Sequence, residues 1–217
     1  MKYSRINDIS LDKYQIIGFD LDGTLYDEKE FVKQAYHQVA IYFERVSNTI
    51  DKYDVYKWMI ERWIEKGSSY PYIFSECIEK FQIRNATIEQ CLFHYRNAYF
   101  RLLLDTKIKE MLKQLNMLEK KIFLVTDGNA NLQKRKFYTL GLMEYFHFEN
   151  VVFTGLLGSE HYKPDTTALK YIDCLKENND NSVIYFGDRK VDEQFATNAG
   201  FDFAHVSNFY AFWGELV

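Results

Sequence analysis

Apolar residues along this chain keep two different rhythms. Five short runs are almost continuously apolar: Gln15–Phe19, Lys121–Val125, Val151–Phe153, Val183–Phe186 and Phe203–Val206. Their shortness, and the Asp, Thr or Gly that closes three of them, predict buried strands rather than helix segments. Elsewhere the period lengthens. Thr106–Met117, Leu132–Leu140, Thr166–Leu175 and Asp192–Ala199 carry helical spacing, and Gly200 stands where a left-handed residue would stop the last of them. Strands alternating with helices predict right-handed crossovers and a parallel sheet.

One interval breaks the alternation. About 100 residues lie between the first and second runs, against the dozen or so of an ordinary crossover. Helical spacing persists through that interval. One face is Phe31, Ala35, Val39, Tyr42, Phe43 and Val46; a second is Tyr53, Tyr56, Ile60, Trp63 and Ile64. A third runs through Ile73, Phe74, Cys77, Ile78 and Phe81, and a fourth through Ile88, Cys91, Leu92, Tyr95, Tyr99 and Leu102. Thr87 with Gln90 three residues on is a capping-box pattern that opens the fourth helix. The expected organisation is an α/β core, residues 1–26 and 104–217, interrupted by an all-α insertion at 27–103. The aromatic faces, Trp58 and Trp63 included, are expected to be the insertion's own core. The loop "GSSYPY", Gly67 to Tyr72, is a candidate substrate loop.

Ligands of open parallel sheets bind beyond the carboxyl ends of the strands. The residues just past each run are therefore informative. The first ends at "DLDGT", placing Asp20 and Asp22 two residues apart on one side of the strand end. The second ends at Thr126-Asp127-Gly128, and the fourth at Gly187-Asp188 with Asp192 four residues on. Between the third and fourth lies "HYKPD" with Lys163. Carboxylates gathered this way repel one another, and a hard divalent cation with oxygen ligands, Mg²⁺, would answer that repulsion.

"DLDGT" after an apolar strand, "VTDGNANLQKRKFYTLGL", "YKPD" and "FGDRKVDEQFATNAG" together resemble the four ordered motifs of the haloacid dehalogenase-like superfamily. The phosphatase branch, with a helical cap inserted after the first motif, is the closest in pattern. The resemblance spans the chain beyond about residue 14 and implies a Rossmann-like five-stranded parallel sheet flanked by helices. It implies that Asp20 is a nucleophile forming an aspartyl-phosphate and that Asp22 is the general acid and base. It further implies that Thr126, with Gly23, Asp127 and Gly128, surrounds the phosphate, and that Lys163 neutralises Asp20. Mg²⁺ would be held by Asp20, the backbone carbonyl of Asp22, Asp188 and Asp192. On this reading the charge of the Asp20–Asp22 pair is met by Lys163 and by the metal shared with Asp188.

Some positions fit less closely. Asp127 stands where the family often has Asn, adding a carboxylate beside the phosphate unless it turns away. Arg189 and Lys190 replace small polar residues, and either pair with Asp192 or face solvent. Asp192 doubles as a helix N-cap candidate. His161, two residues before Lys163, reads as a surface loop histidine. Tyr26 and Asp27 mark the hinge into the insertion.

The implied activity is magnesium-dependent hydrolysis of a small phosphorylated metabolite, a sugar phosphate or a nucleoside monophosphate. Phosphoryl transfer within a sugar, as in related phosphoglucomutases, would use the same residues. Dehalogenation fits less well, because halide leaves without an acid and Asp22 would have no task; a non-catalytic binding role would waste a complete set. Composition narrows the partners. A net charge of −4 offers no basic face for a nucleic-acid polymer. No run approaches the roughly 20 apolar residues of a membrane helix, and "MKYSRINDISLDKYQ" lacks the apolar stretch of a secretion signal. The scattered Cys77, Cys91 and Cys174 read as reduced core thiols of a cytoplasmic protein. The expected state is a monomer or a homodimer.

Overall fold

The computed structural model describes residues 10–47, 49–176 and 182–206. The chain forms two compact units, one built from the chain up to Asp27 and from Leu103 onward, the other from Glu28–Leu102.

The first unit is a Rossmann-like sheet of five parallel strands: β1 (Ile16–Phe19), β2 (Lys121–Thr126), β3 (Val151–Phe153), β4 (Val183–Gly187) and β5 (Asp202–His205). The spatial order is β3-β2-β1-β4-β5. The order reverses at β1, so the crevice beyond β1 and β4 is the topological switch point where ligands collect. Both faces of the sheet are covered, which is why the central strands read as unbroken apolar runs. On one face Phe19 stacks on Phe186 and meets the edge of Phe146. On the other, Ile16, Phe123, Val125, Tyr185, Ile172 and Phe195 form a buried cluster.

Gly18, opposite both Phe123 and Tyr185 in register, makes that second face possible. A Cβ there would lie 2.2 Å from Phe123 Cζ and 2.6 Å from Tyr185 Cδ2. Its absence lets the two rings meet over the central strand at 6.0 Å between centroids. The usual penalty of glycine inside a strand is offset by aromatic packing.

Around the sheet lie α5 (Thr106–Met117), α6 (Ala130–Thr139), α7 (Asp173–Lys176) and α8 (Lys190–Ala199). Asp105 caps α5 by accepting from Lys107 N at 2.8 Å, and Asn129 caps α6 by accepting from Leu132 N at 3.1 Å. The helix expected at Thr166–Leu175 is instead a 3₁₀ segment, Thr167–Tyr171, followed by the single turn of α7. Its bonds run from Leu169 N to Thr166 O and from Ile172 N to Leu169 O. Three-residue winding places Leu169, Ile172 and Leu175 on one side, against the buried cluster.

The second unit holds α1 (Glu28–Ser47), α2 (Lys52–Lys66), α3 (Ile73–Lys80) and α4 (Ile88–Arg96). Its centre is aromatic: Phe31 meets Tyr95 and Phe100 edge-on at 5.2 and 5.1 Å, and Tyr36 and Tyr95 each meet Phe74. The Thr87–Gln90 capping box opens α4 as expected. Other expected core positions lie outside. α2 buries Val55 and Met59, while Tyr53 and Ile64 are exposed and the two tryptophans are only half-buried. Its inner face continues not with an apolar residue but with Arg62, whose Nε and Nη2 donate to Glu76 of α3 at 2.6 and 2.9 Å. Tyr99, beyond the end of α4, is 84% exposed.

All three cysteines are buried. Among the described residues no helix is long and apolar enough to cross a membrane.

Candidate active site

Four chain segments bring their polar residues to the carboxyl edge of the sheet. β1 delivers Asp20, whose N–H donates to Phe186 O of β4 at 2.9 Å, extending the strand pairing by one residue. The chain then turns. Gly23 takes φ +74°, and a Cβ there would lie 2.3 Å from Asp188 Oδ2. Only glycine suits both the left-handed backbone and the carboxylate pressed against it.

Asp20, Lys163 and Asp192 form a buried triad. Lys163 Nζ donates to Asp20 Oδ1 at 2.6 Å and to Asp192 Oδ1 at 2.5 Å, with Tyr185 Oη 3.4 Å away. Tyr185 Oη donates to Val125 O at 3.1 Å, tying the lysine's surroundings to β2. Burial works against the Lys163 charge, but Asp20, Tyr185 and Asp192 outweigh it and hold the ammonium well above its usual range. One ammonium does not balance two buried carboxylates. Burial raises Asp20, Lys163 opposes, Asp192 adds to the rise, and the carboxyl is pushed up to about 8. Burial and Asp192 likewise raise Asp188.

The carboxylates Asp20, Asp188 and Asp192 each offer an oxygen within 4.8 Å of the other two. Asp20 Oδ2 and Asp188 Oδ1 are buried and receive no hydrogen bond from any described residue. Unsatisfied buried carboxylate oxygens are costly, and a hard cation is the partner that suits them. Asp192 differs: its Oδ2 accepts from Arg189 N at 3.0 Å and its Oδ1 is taken by Lys163. Asp192 is the third residue of α8 rather than its N-cap; Arg189 holds the cap position. Arg189 Nε lies 3.8 Å from Asp188 and 3.9 Å from Asp192, while Lys190 is exposed.

Thr126, the buried last residue of β2, and Asp127 follow from the second motif. The Asp127 carboxylate, expected beside a phosphate unless it turned away, faces the loop that carries Lys163. It accepts from Lys163 N at 3.1 and 3.3 Å and from Thr154 Oγ1 at 2.7 Å, so it fixes that loop. Gly128 O accepts from Tyr162 Oη at 3.2 Å, a second tie between the two loops. His161 pairs with Thr167 Oγ1 at 2.6 Å, outside this cluster.

Asp22 is neutralised differently from the sequence expectation. Lys163 does not reach it; Lys136 Nζ does, at 2.7 Å from Oδ1. Gln133 Nε2 donates to Asp22 Oδ2 at 2.6 Å and to Thr126 Oγ1 at 2.7 Å, and the Tyr26 hydroxyl also donates to Asp22. Burial raises the Asp22 carboxyl, but Lys136 and these hydrogen bonds outweigh it and hold it below its ordinary value. The two carboxylates of "DLDGT" are thus pushed in opposite directions.

The sequence profile of haloacid dehalogenase-like hydrolases matches residues 17–206. The chain belongs to that family. A glyceraldehyde 3-phosphate phosphatase of Pyrococcus furiosus is 26% identical over 196 residues, covering 87% of this chain and 78% of that protein. A candidate β-phosphoglucomutase from Thermotoga maritima shares the fold with a TM-score of 0.65 at 17% identity, covering 94% and 100% of the two chains. A candidate HAD-hydrolase from Bacillus subtilis, solved with magnesium bound, gives 0.64 at 17% identity over 88% and 86%.

In this haloacid dehalogenase-like hydrolase, sequence reasoning left Gln133, Lys136 and Tyr185 unassigned. A signal for two of them exists. Leu132, Gln133, Lys136, Phe137 and Leu140 keep one helical face, and all five are buried. Two polar residues interrupting an apolar stripe mark a place where something polar must be met. Tyr185 gave no such sign, since an aromatic in a buried strand reads as core.

Proposed function

We propose that the chain is a magnesium-dependent phosphatase acting on a small phosphorylated metabolite through an aspartyl-phosphate on Asp20. The gathering of Asp20, Lys163, Asp188 and Asp192 beyond β1 and β4, with Asp22 held separately beside Thr126, carries this reading. Asp20 is buried against the Lys163 ammonium, and its charge, which burial opposes, is the one a bound cation would favour; Asp22 sits apart with its own donors. In the first step an Asp20 oxygen attacks phosphorus. The ester P–O bond breaks with its electron pair on the leaving oxygen, which takes a proton from Asp22. In the second step Asp22 takes a proton from water. The water oxygen attacks phosphorus, the bond to Asp20 breaks, and inorganic phosphate leaves.

Thr126 and Lys163 are the proposed donors to the phosphoryl oxygens, with Gly23 and Gly128 shaping the loops around them. Asp20, the carbonyl of Asp22 and Asp188 would hold Mg²⁺, with Asp192 supporting Lys163 from behind. When bound, the cation supplies charge neutralisation to the phosphoryl group. The helical unit is the proposed cap that selects the substrate. The sugar-phosphate alternative is favoured over the nucleotide one by the activity named for the Pyrococcus relative.

Purified protein with Mg²⁺ is expected to hydrolyse p-nitrophenyl phosphate, to stop when a chelator is added, and to lose turnover as Asp20→Asn. Phosphate release from a panel of phosphorylated sugars and nucleotides then names the substrate. A wild type inert toward every ester, or an Asn variant with full activity, would refute the assignment.

A further inference from the structure

We infer that Gln133 and Lys136 of α6 are positioning residues that lock the acid–base carboxylate Asp22 to the phosphate-holding hydroxyl of Thr126. The inference rests on the phosphatase reading for the roles of those two groups, but the lock itself is a matter of geometry. A carboxylate only accepts hydrogen bonds, so the Gln133 side chain must present its NH₂ to Asp22 Oδ2. That same NH₂ reaches Thr126 Oγ1. With Gln133 donating into it, the threonine hydroxyl keeps its own hydrogen for another acceptor. The glutamine therefore turns Thr126 into a donor while holding Asp22 at a set distance from it.

Lys136 lies one turn along the same helix face and is almost entirely buried. It closes on Asp22 Oδ1 from the same direction, while Tyr26 approaches from the hinge segment. Both carboxylate oxygens are thus engaged, leaving the side chain no free rotamer. The helix that carries the pair is registered to Thr126 by covalent proximity: Asn129 caps it three residues after Thr126, and Gln133 N donates to Asn129 O at 3.0 Å. Burying a glutamine and a lysine on an otherwise apolar face is unfavourable unless each has a partner, and both find it in Asp22. Holding a proton-transferring group to within a fraction of an ångström is what such second contacts accomplish.

Pre-steady-state hydrolysis of p-nitrophenyl phosphate separates positioning of Asp22 from general damage. Nitrophenolate leaves without needing a proton, whereas the water step requires Asp22. Lys136→Met is expected to release one equivalent of nitrophenol per site in a burst near the wild-type rate. Steady turnover should then slow about 100-fold, the order of a lost acid–base group. Lys136→Arg should restore most of the steady rate. Gln133→Leu should slow turnover similarly and also raise KM, because Thr126 loses its orientation; Gln133→Glu, of equal volume, serves if the leucine variant does not fold. Burst and steady rates falling in equal proportion, or Lys136→Met turning over within threefold of wild type, would overturn the inference. A wild type inert toward all phosphate esters would overturn the phosphatase reading alone. Crystal structures of Lys136→Met and Gln133→Leu would then decide: a displaced Asp22 side chain supports the lock, and an unmoved one refutes it.

Discussion

Gly23 is the residue on which the Asp188 side of the site turns. Its positive φ and the 2.3 Å that would separate a Cβ from Asp188 Oδ2 act together. Gly23→Ala is expected to cost about 1–3 kcal/mol of stability through backbone strain alone. Asp188 would also have to retreat, so weaker Mg²⁺ binding should accompany the loss. Urea denaturation and a magnesium titration of the variant measure the two effects. An alanine variant with unchanged midpoint and unchanged affinity would show that the turn tolerates what its geometry forbids. At this scale the sequence placed Asp20, Asp22 and Asp188 just past strand ends, and the structure brings Lys163 from its loop to Asp20 and groups Asp188 with it. The sequence was silent about Asp127, since nothing in "VTDG" says which way a carboxylate turns; the loop bearing Lys163, 36 residues on, decides that.

Among the elements, strands were easier to read than helices. A strand covered on both faces must be apolar throughout, so β1, β2 and β4 announce themselves. A helix face is allowed polar members wherever those members have partners. α2 hid its inner side for that reason: Val55 and Met59 are followed by Arg62, which pairs with Glu76, Glu65 and, through the Glu76 carboxylate, Tyr70. α6 hid Gln133 and Lys136 in the same way. The Arg62–Glu76 pair has a measurable consequence. Hydrogen bonds from Arg62 and Tyr70 lower the Glu76 carboxyl from 4.5 to about 2. Between those values the unfolded chain binds the proton and the folded chain does not, so stability falls as pH falls. The contribution is complete above pH 4.5 and disappears toward pH 2. Urea midpoints measured from pH 5 down to 3 should therefore drop more steeply for the wild type than for Glu76→Gln. Coincident slopes would mean that the pair does not join α2 to α3.

For the whole molecule, the parallel sheet and the gathering of distant residues at one edge followed from pattern alone, because alternating strands and helices leave few arrangements; the strand order did not. Nor did the charge balance. Sequence order assigned one lysine and one cation to all the carboxylates; the fold gives Asp22 a lysine of its own, leaves Asp20 and Asp192 to share Lys163, and sets Arg189 beside Asp188 and Asp192. That remaining surplus predicts a large thermal response to metal. Mg²⁺ at about 100 times its Kd should stabilise the protein by about 2.7 kcal/mol, read as a rise in Tm. Asp188→Asn should abolish the rise, and a rise that survives in that variant would place the cation elsewhere. The glycine at the middle of the sheet has a further effect, on how the sequence can drift. Gly18, Phe123 and Tyr185 occupy one shared volume, and Tyr185 in turn stands beside Lys163. No enlargement at position 18 is tolerable until a neighbouring ring has shrunk, and shrinking Tyr185 disturbs the lysine. The three positions must therefore change in a fixed order or together, and their single-site effects will not add.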